Sequence, residues 1–189
     1  MKLRIFCTVF LLALWLSAAG VVQTQGIEWD TLNAEVVSLY RKGQYDRAVV
    51  VAKKALEVAE KTQGPDHRDV ATSLNNLATL HVAQGQYPQA EPLYKRALAI
   101  NEKALGSNHP EVATSLNNLA ELYRTQGQYA QAEPLYKRAL AITEKALDPD
   151  HPSVATSLTN LAALYRKMDR AEEAQKLEDR AKAITAIKR

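Results

Sequence analysis

The feature that most limits how this chain can fold is that it contains a copy of itself. Residues 70–106 align with residues 112–148 without a gap, and only seven of the 37 positions differ. These are Thr79/Glu121, His81/Tyr123, Val82/Arg124, Ala83/Thr125, Pro88/Ala130, Asn101/Thr143 and Gly106/Asp148. A weaker copy precedes, around Gly43, Tyr45, Ala48, Ala55 and Leu56, and another follows from Val154 to Ile184. Self-similarity at a fixed period means stacked units, each burying its apolar face on the next. Four units are expected, over about 28–66, 67–108, 109–150 and 151–189.

The glycines divide each unit in two. Gly43, Gly64, Gly85, Gly106 and Gly127 are evenly spaced, half a repeat period apart. Between them, Leu116, Leu119, Ala120 and Tyr123 form one apolar stripe, and Ala132, Leu135, Tyr136, Ala139, Leu140 and Ile142 form a second. Steps of three and four residues describe a helix buried along one face, and no alternation of period two supports a strand. Each unit is therefore a helix–turn–helix hairpin, with a Gln-Gly-Gln turn in the two middle units. Pro110 and Pro152 suit the first turn of a helix, where a missing N–H costs little. Pro92 and Pro134 fall early in the second helix and predict a tolerated bend.

The run Leu116 to Leu140 (Leu-Asn-Asn-Leu-Ala, then Tyr-Arg, Gln-Gly-Gln-Tyr and Ala-Glu-Pro-Leu-Tyr-Lys-Arg-Ala-Leu) resembles the tetratricopeptide repeat. The 42-residue period and the Asn-His-Pro and Asp-His-Pro links resemble the kinesin-light-chain subtype. The resemblance implies an all-α, right-handed α-solenoid of four helix–turn–helix repeats. It also implies an interaction scaffold whose concave face, lined by the first helix of each unit, binds peptides. Departures fall at the ends. Glu35 stands where later units have Leu77, Leu119 and Leu161, and Asp169 replaces a turn glycine. The highly charged last helix suits a terminal cap.

Ahead of the repeats, residues 1–20 read as a secretory signal peptide. Lys2 and Arg4 precede an apolar run from Ile5 to Leu16, and Ser17, Ala18, Ala19 and Gly20 supply a small-residue cleavage site. Residues 21–27 are a linker. The expected location is secreted or periplasmic, with no membrane insertion after cleavage. An uncleaved membrane anchor is the alternative, since a span needs roughly 17–25 residues. The one cysteine, Cys7, lies in the leader, so the rest has no thiol for disulfides, metals or nucleophilic catalysis. Without the leader the net charge falls from +3 to +1, which does not suggest a nucleic-acid partner.

No motif points to catalysis, a cofactor or a metal. His67, His109 and His151 sit one unit apart, roughly 16–20 Å given about 8–10 Å between packed helices. One zinc ion needs its nitrogens within about 2.1 Å, so the histidines are expected to be structural. Ser73, Ser115 and Ser157 share one repeat position with no base signal beside them. Carboxylates such as Glu102, Glu144, Glu172 and Glu173 fit solvated helix faces. So do the basic pairs Lys95-Arg96 and Lys137-Arg138. Tyr87, Tyr94, Tyr129 and Tyr136 are expected to pack. The chain is read as a non-enzyme.

The first helices offer the better candidate. Thr72, Asn75, Asn76 and Thr79 fall near one face, as do Thr114, Asn117, Asn118 and Glu121, then Thr156, Thr159, Asn160 and Ala163. Asparagine amides both donate and accept, which suits a peptide backbone. Asparagine is a mediocre helix former, so its repetition needs a reason. One of each pair is expected in the groove and the other tying helices together. Arg124 and Arg166 extend this set, so the groove is expected to run from apolar at Tyr40 and Val82 to basic at Arg124 and Arg166. The expected partner is a protein or peptide segment. The alternative is a structural, self-assembling module forming homo-oligomers, with its first unit as the expected contact, or part of a larger envelope complex.

Overall fold

The computed structural model describes residues 28–187. The expected leader (1–20) and linker (21–27) lie outside the described residues. Within them the chain forms eight helices and no strand. These are α1 (28–41), α2 (Tyr45–Gln63), α3 (Arg68–Ala83), α4 (Tyr87–Leu105), α5 (Pro110–Thr125), α6 (Tyr129–Ala146), α7 (Pro152–Lys167) and α8 (Ala171–Ile187). Consecutive helices pack antiparallel as hairpins, in the right-handed α-solenoid expected.

The core alternates large and small side chains. First helices contribute Leu74, Leu77 and Leu80, then Leu116, Leu119 and Leu122, then Leu158, Leu161 and Leu164, all buried. Second helices answer with Ala90 and Ala97, Ala132 and Ala139, and Ala174 and Ala181. Alanine lets two backbones approach closely while leucine fills the remaining volume. Pro92 and Pro134 sit inside α4 and α6, which run on past them.

Curvature follows from which helices meet. The backbone of α3 meets that of α5, and α5 meets α7, whereas the second helices keep apart. The closer-spaced layer is the inner one, so α3, α5 and α7 line the concave side. Long side chains bridge the wider outer gap. Arg96 pairs with Glu60 at 2.7 Å, Arg138 with Glu102 at 2.6 Å, and Arg180 with Glu144. The arginines of the repeated Lys-Arg pairs are thus exposed but matched, one unit to the next.

Turn chemistry follows the period as well. Gly127 lies at φ 74°, in the left-handed region that L-residues avoid. In the last unit Asp169 adopts φ 59° at the equivalent position, the one non-glycine with positive φ among the described residues.

Candidate functional site

The three loop histidines are helix caps. Each precedes the first residue of α3, α5 or α7, and its Nδ1 accepts the backbone N–H two residues on. The distances are 3.2 Å for His67 to Asp69, 3.2 Å for His109 to Glu111, and 3.1 Å for His151 to Ser153. A ring nitrogen here satisfies one of the orphan donors at a helix start. The buried serines have a structural task too. Trp29 Nε1 donates to Ser73 Oγ at 2.9 Å, Asn101 Nδ2 donates to Ser115 Oγ at 2.9 Å, and Thr143 meets Ser157 at 3.3 Å. All three bonds join one unit to the next.

Among the described residues, clefts open on the concave face between successive first helices. The first, about 210 Å³, lies between α1 and α3 and is walled by Val36, Val37, Tyr40, Leu80, Arg41, Asn76 and Thr79. The second, about 280 Å³, lies between α3 and α5. Thr72, Asn75, Asn76, Asn101, Glu111, Thr114 and Asn118 line it. The third, about 340 Å³, lies between α5 and α7. Its walls include Glu111, Thr114, Asn117, Asn118, Thr143, Thr156 and Asn160. Nine of the twelve groove residues expected from sequence therefore line consecutive clefts.

Hydrogen bonding divides the polar residues. Thr72, Thr114 and Thr156 are exposed and donate to the carbonyls of Arg68, Pro110 and Pro152, four residues back. Asn76 Nδ2 donates to Asn33 Oδ1 of the preceding unit at 3.0 Å and also borders a cleft, so one asparagine takes both of the roles expected to be split across the pair. Asn75 Oδ1 and Asn117 Oδ1 are buried without a partner.

Glu121, Arg124 and Arg166, expected at the basic end of the groove, do not line these three clefts, and both arginines have partners within the chain. Arg124 Nε donates to Glu121 Oε2 at 2.8 Å and its Nη2 to Oε1. Arg166 makes a two-pronged contact with Glu178 at 3.0 and 2.8 Å and reaches Gln175 at 2.9 Å. Both charges are met inside the protein. Burial pushes the Glu121 carboxyl up, but hydrogen bonds from Arg124 and Tyr136 outweigh it and hold it below the usual range. The buried Tyr136 hydroxyl donates to Glu121 Oε2 at 2.7 Å. Burial, then that carboxylate, pushes the phenol up. One unit earlier Thr79 donates to the Asn75 carbonyl and meets Tyr94 at 2.9 Å.

The remaining exchange at this helix end is also a matched set. Tyr123 donates to Glu91 at 2.9 Å and Tyr165 to Glu133 at 3.1 Å, each across a unit boundary. His81, the counterpart of Tyr123, follows a unit in which Val49 stands where Glu91 would. Sequence reading assigned this tyrosine to packing and missed its hydroxyl. The joint change of Tyr with Glu, and of His with Val, was the available signal. Glu133 is a hub. Lys137 and Arg170 reach it at 2.7 and 2.9 Å and, with Tyr165, hold its carboxyl down at about 2.

The model of the tetratricopeptide repeat family matches residues 31–103, 83–145 and 111–186. The chain belongs to that family. Its structure is similar to that of BtubC (BKLC) from P. vanneervenii, with TM-score 0.75 and 28% identity, over 84% of this chain and 63% of that one. It is also similar to the nearly identical TPR-like repeats assigned to a kinesin light chain of Podosopora anserina. There the TM-score is 0.60 and the identity 24%, over 85% and 96% of the two chains. Aspartyl phosphate phosphatase F from Bacillus subtilis shares the fold at TM-score 0.72 and 19% identity, over 87% of this chain and 41% of that one. This chain thus spans less than two thirds of the first and last of these. Such repeats are in general protein–protein interaction scaffolds.

Proposed function

We propose that this protein is an exported, non-enzymatic scaffold that holds an extended peptide or protein segment along the concave face of α3, α5 and α7. One observation carries the reading: Thr and Asn side chains from three successive first helices line consecutive clefts. Repetition of one polar wall at unit spacing suits a ligand that is itself repetitive, which a peptide backbone is. The pattern of residues 1–20 supports export, and among the described residues no helix is long and apolar enough to cross a membrane.

Selection from a random displayed peptide library tests this. Enriched peptides should bind the purified chain and lose affinity for the double variant Asn118→Ala with Thr156→Ala. Neither side chain is in the buried core, so folding should persist. Enriched peptides indifferent to both changes would refute the groove.

A second reading, self-association through the first unit, has its own observation. The large apolar side chains exposed among the described residues, Val37, Tyr40 and Val50, all lie there. A mass that rises with concentration, and returns to monomer in Val37→Ser with Tyr40→Ser, would favour it.

A further inference from the structure

The two ends of the described array carry charges at positions that are apolar at every joint between units. On the first helices, Leu77, Leu119 and Leu161 share one repeat position and are buried. Their counterpart in α1 is Glu35, which is exposed. That position is buried where a unit precedes it and exposed where, among the described residues, none does. On the second helices, Leu56, Leu98 and Leu140 share another position. Leu56 packs on the cluster that holds Leu77, and Leu98 and Leu140 on the cluster that holds Leu119 and Leu161. These side chains reach into the following unit. Leu98 also packs on the cluster of Val112 and Leu116, and Leu140 on that of Val154 and Leu158. Their counterpart in α8 is Lys182, whose side chain is 72% exposed.

We propose that copies of this chain associate head to tail, the outward face of α7 and α8 in one copy docking on the outward face of α1 and α2 in the next, with Lys182 against Glu35. The joint repeats the one between units and exchanges its leucine contact for an ion pair. Such a contact is heterologous and continues the solenoid, so copies add in an open series instead of closing as a dimer. The inference goes beyond the groove reading and does not depend on it. It also differs from association through Val37 and Tyr40, which wall the concave cleft between α1 and α3.

Both charges are open to a partner. Among the described residues the Glu35 side chain makes no ion pair or hydrogen bond, and Lys182 has only Asp179 on its own helix, at 3.8 Å. A second column matches as well. Thr143 donates to the Ala139 carbonyl at 2.7 Å and meets Ser157 across its joint at 3.3 Å. Thr185, one unit later, donates to the Ala181 carbonyl at 3.1 Å, and Thr31 holds the Ser157 position in the first unit. The outer Arg–Glu column does not continue. Lys54, in the place of Arg96 and Arg138, is held by Glu28 at 3.0 Å, and Ala186 stands where Glu102 and Glu144 do. The joint between copies is therefore weaker than those inside the chain, and the association is reversible.

The test is sedimentation velocity of the purified chain at low salt across a range of concentrations. The weight-average mass should rise past that of a dimer and fall back as salt screens the ion pair. Glu35→Lys and Lys182→Glu should each weaken association about tenfold or more, because like charges then face each other. The double variant restores opposite charges and should regain the parent's behaviour. An equimolar mixture of the two single variants should do the same, which also shows that each is folded. Val37→Ser with Tyr40→Ser should leave the association unchanged. A monomer at every concentration, a mass that stops at the dimer, single variants that assemble like the parent, or a double variant that stays apart overturns the proposal. Loss of assembly in the Val37 and Tyr40 variant overturns it too and assigns self-association to the apolar cleft. Peptide binding in the groove is read separately, so either reading can fail alone.

Discussion

Histidine takes the cap position that serine, threonine, asparagine or aspartate usually holds. A ring nitrogen can do so only while it keeps its lone pair, which requires the proton on Nε2. His109→Ala should cost about 0.5–2 kcal/mol in urea unfolding, and His109→Asn should restore most of it. Equal losses for both would remove the cap from the account. Asp169 marks the opposite case, a side chain where the other units have a turn glycine. Relief of left-handed strain outweighs the added chain entropy, so Asp169→Gly should stabilise by about 0.5–1 kcal/mol, read as a higher unfolding midpoint. Glu133 sets a pH dependence. Lys137 and Arg170 depress its folded pKa to about 2, below the unfolded value of 4.5. The stability it contributes is therefore complete above about pH 4.5 and is lost as pH falls towards 2. Acid unfolding curves of Glu133→Gln should lack that contribution; coincident slopes for variant and parent would contradict it.

Helix faces were legible because the period is so regular. The stripes through Leu116 and Ala132 place buried side chains correctly, with Ala132 at 0% exposure and Ala130 exposed. Ala132→Leu should overpack the hairpin and destabilise by about 1–3 kcal/mol, whereas Ala130→Leu should be nearly silent. Equal unfolding midpoints would contradict the face assignment. What sequence could not supply was pairing between units. Period places Tyr123 and Tyr165 in one column and Glu91 and Glu133 in another. Nothing in a column says that the two meet across a boundary 32 residues apart. Arg124 is paired within its own helix instead. Its partner, Glu121, lies one turn away on its own helix, and both changed together in the exchange that made the site look basic. The Asn and Thr positions were legible because they repeat on the same face as the leucines that fix the helix orientation.

Across the array, junctions rather than units carry the distinctive chemistry. A buried polar joint at Ser73, Ser115 or Ser157 sits on the inner side of each boundary, and an Arg–Glu pair on the outer. The outer pairs are partly exposed, and such pairs contribute about 0–1 kcal/mol each. Their regular spacing matters more for register than for strength. Nearest-neighbour stacking of this kind lets one boundary differ from the next without disturbing the rest. The Asn101/Thr143 exchange does so.

Hydrogen–deuterium exchange of the purified chain, free and saturated with a selected peptide, tests whether the concave face is the binding surface. Protection should rise in α3, α5 and α7 and stay unchanged on the outward faces of α4 and α6. Protection confined to α4 and α6, or to the first unit alone, would contradict the scaffold described here.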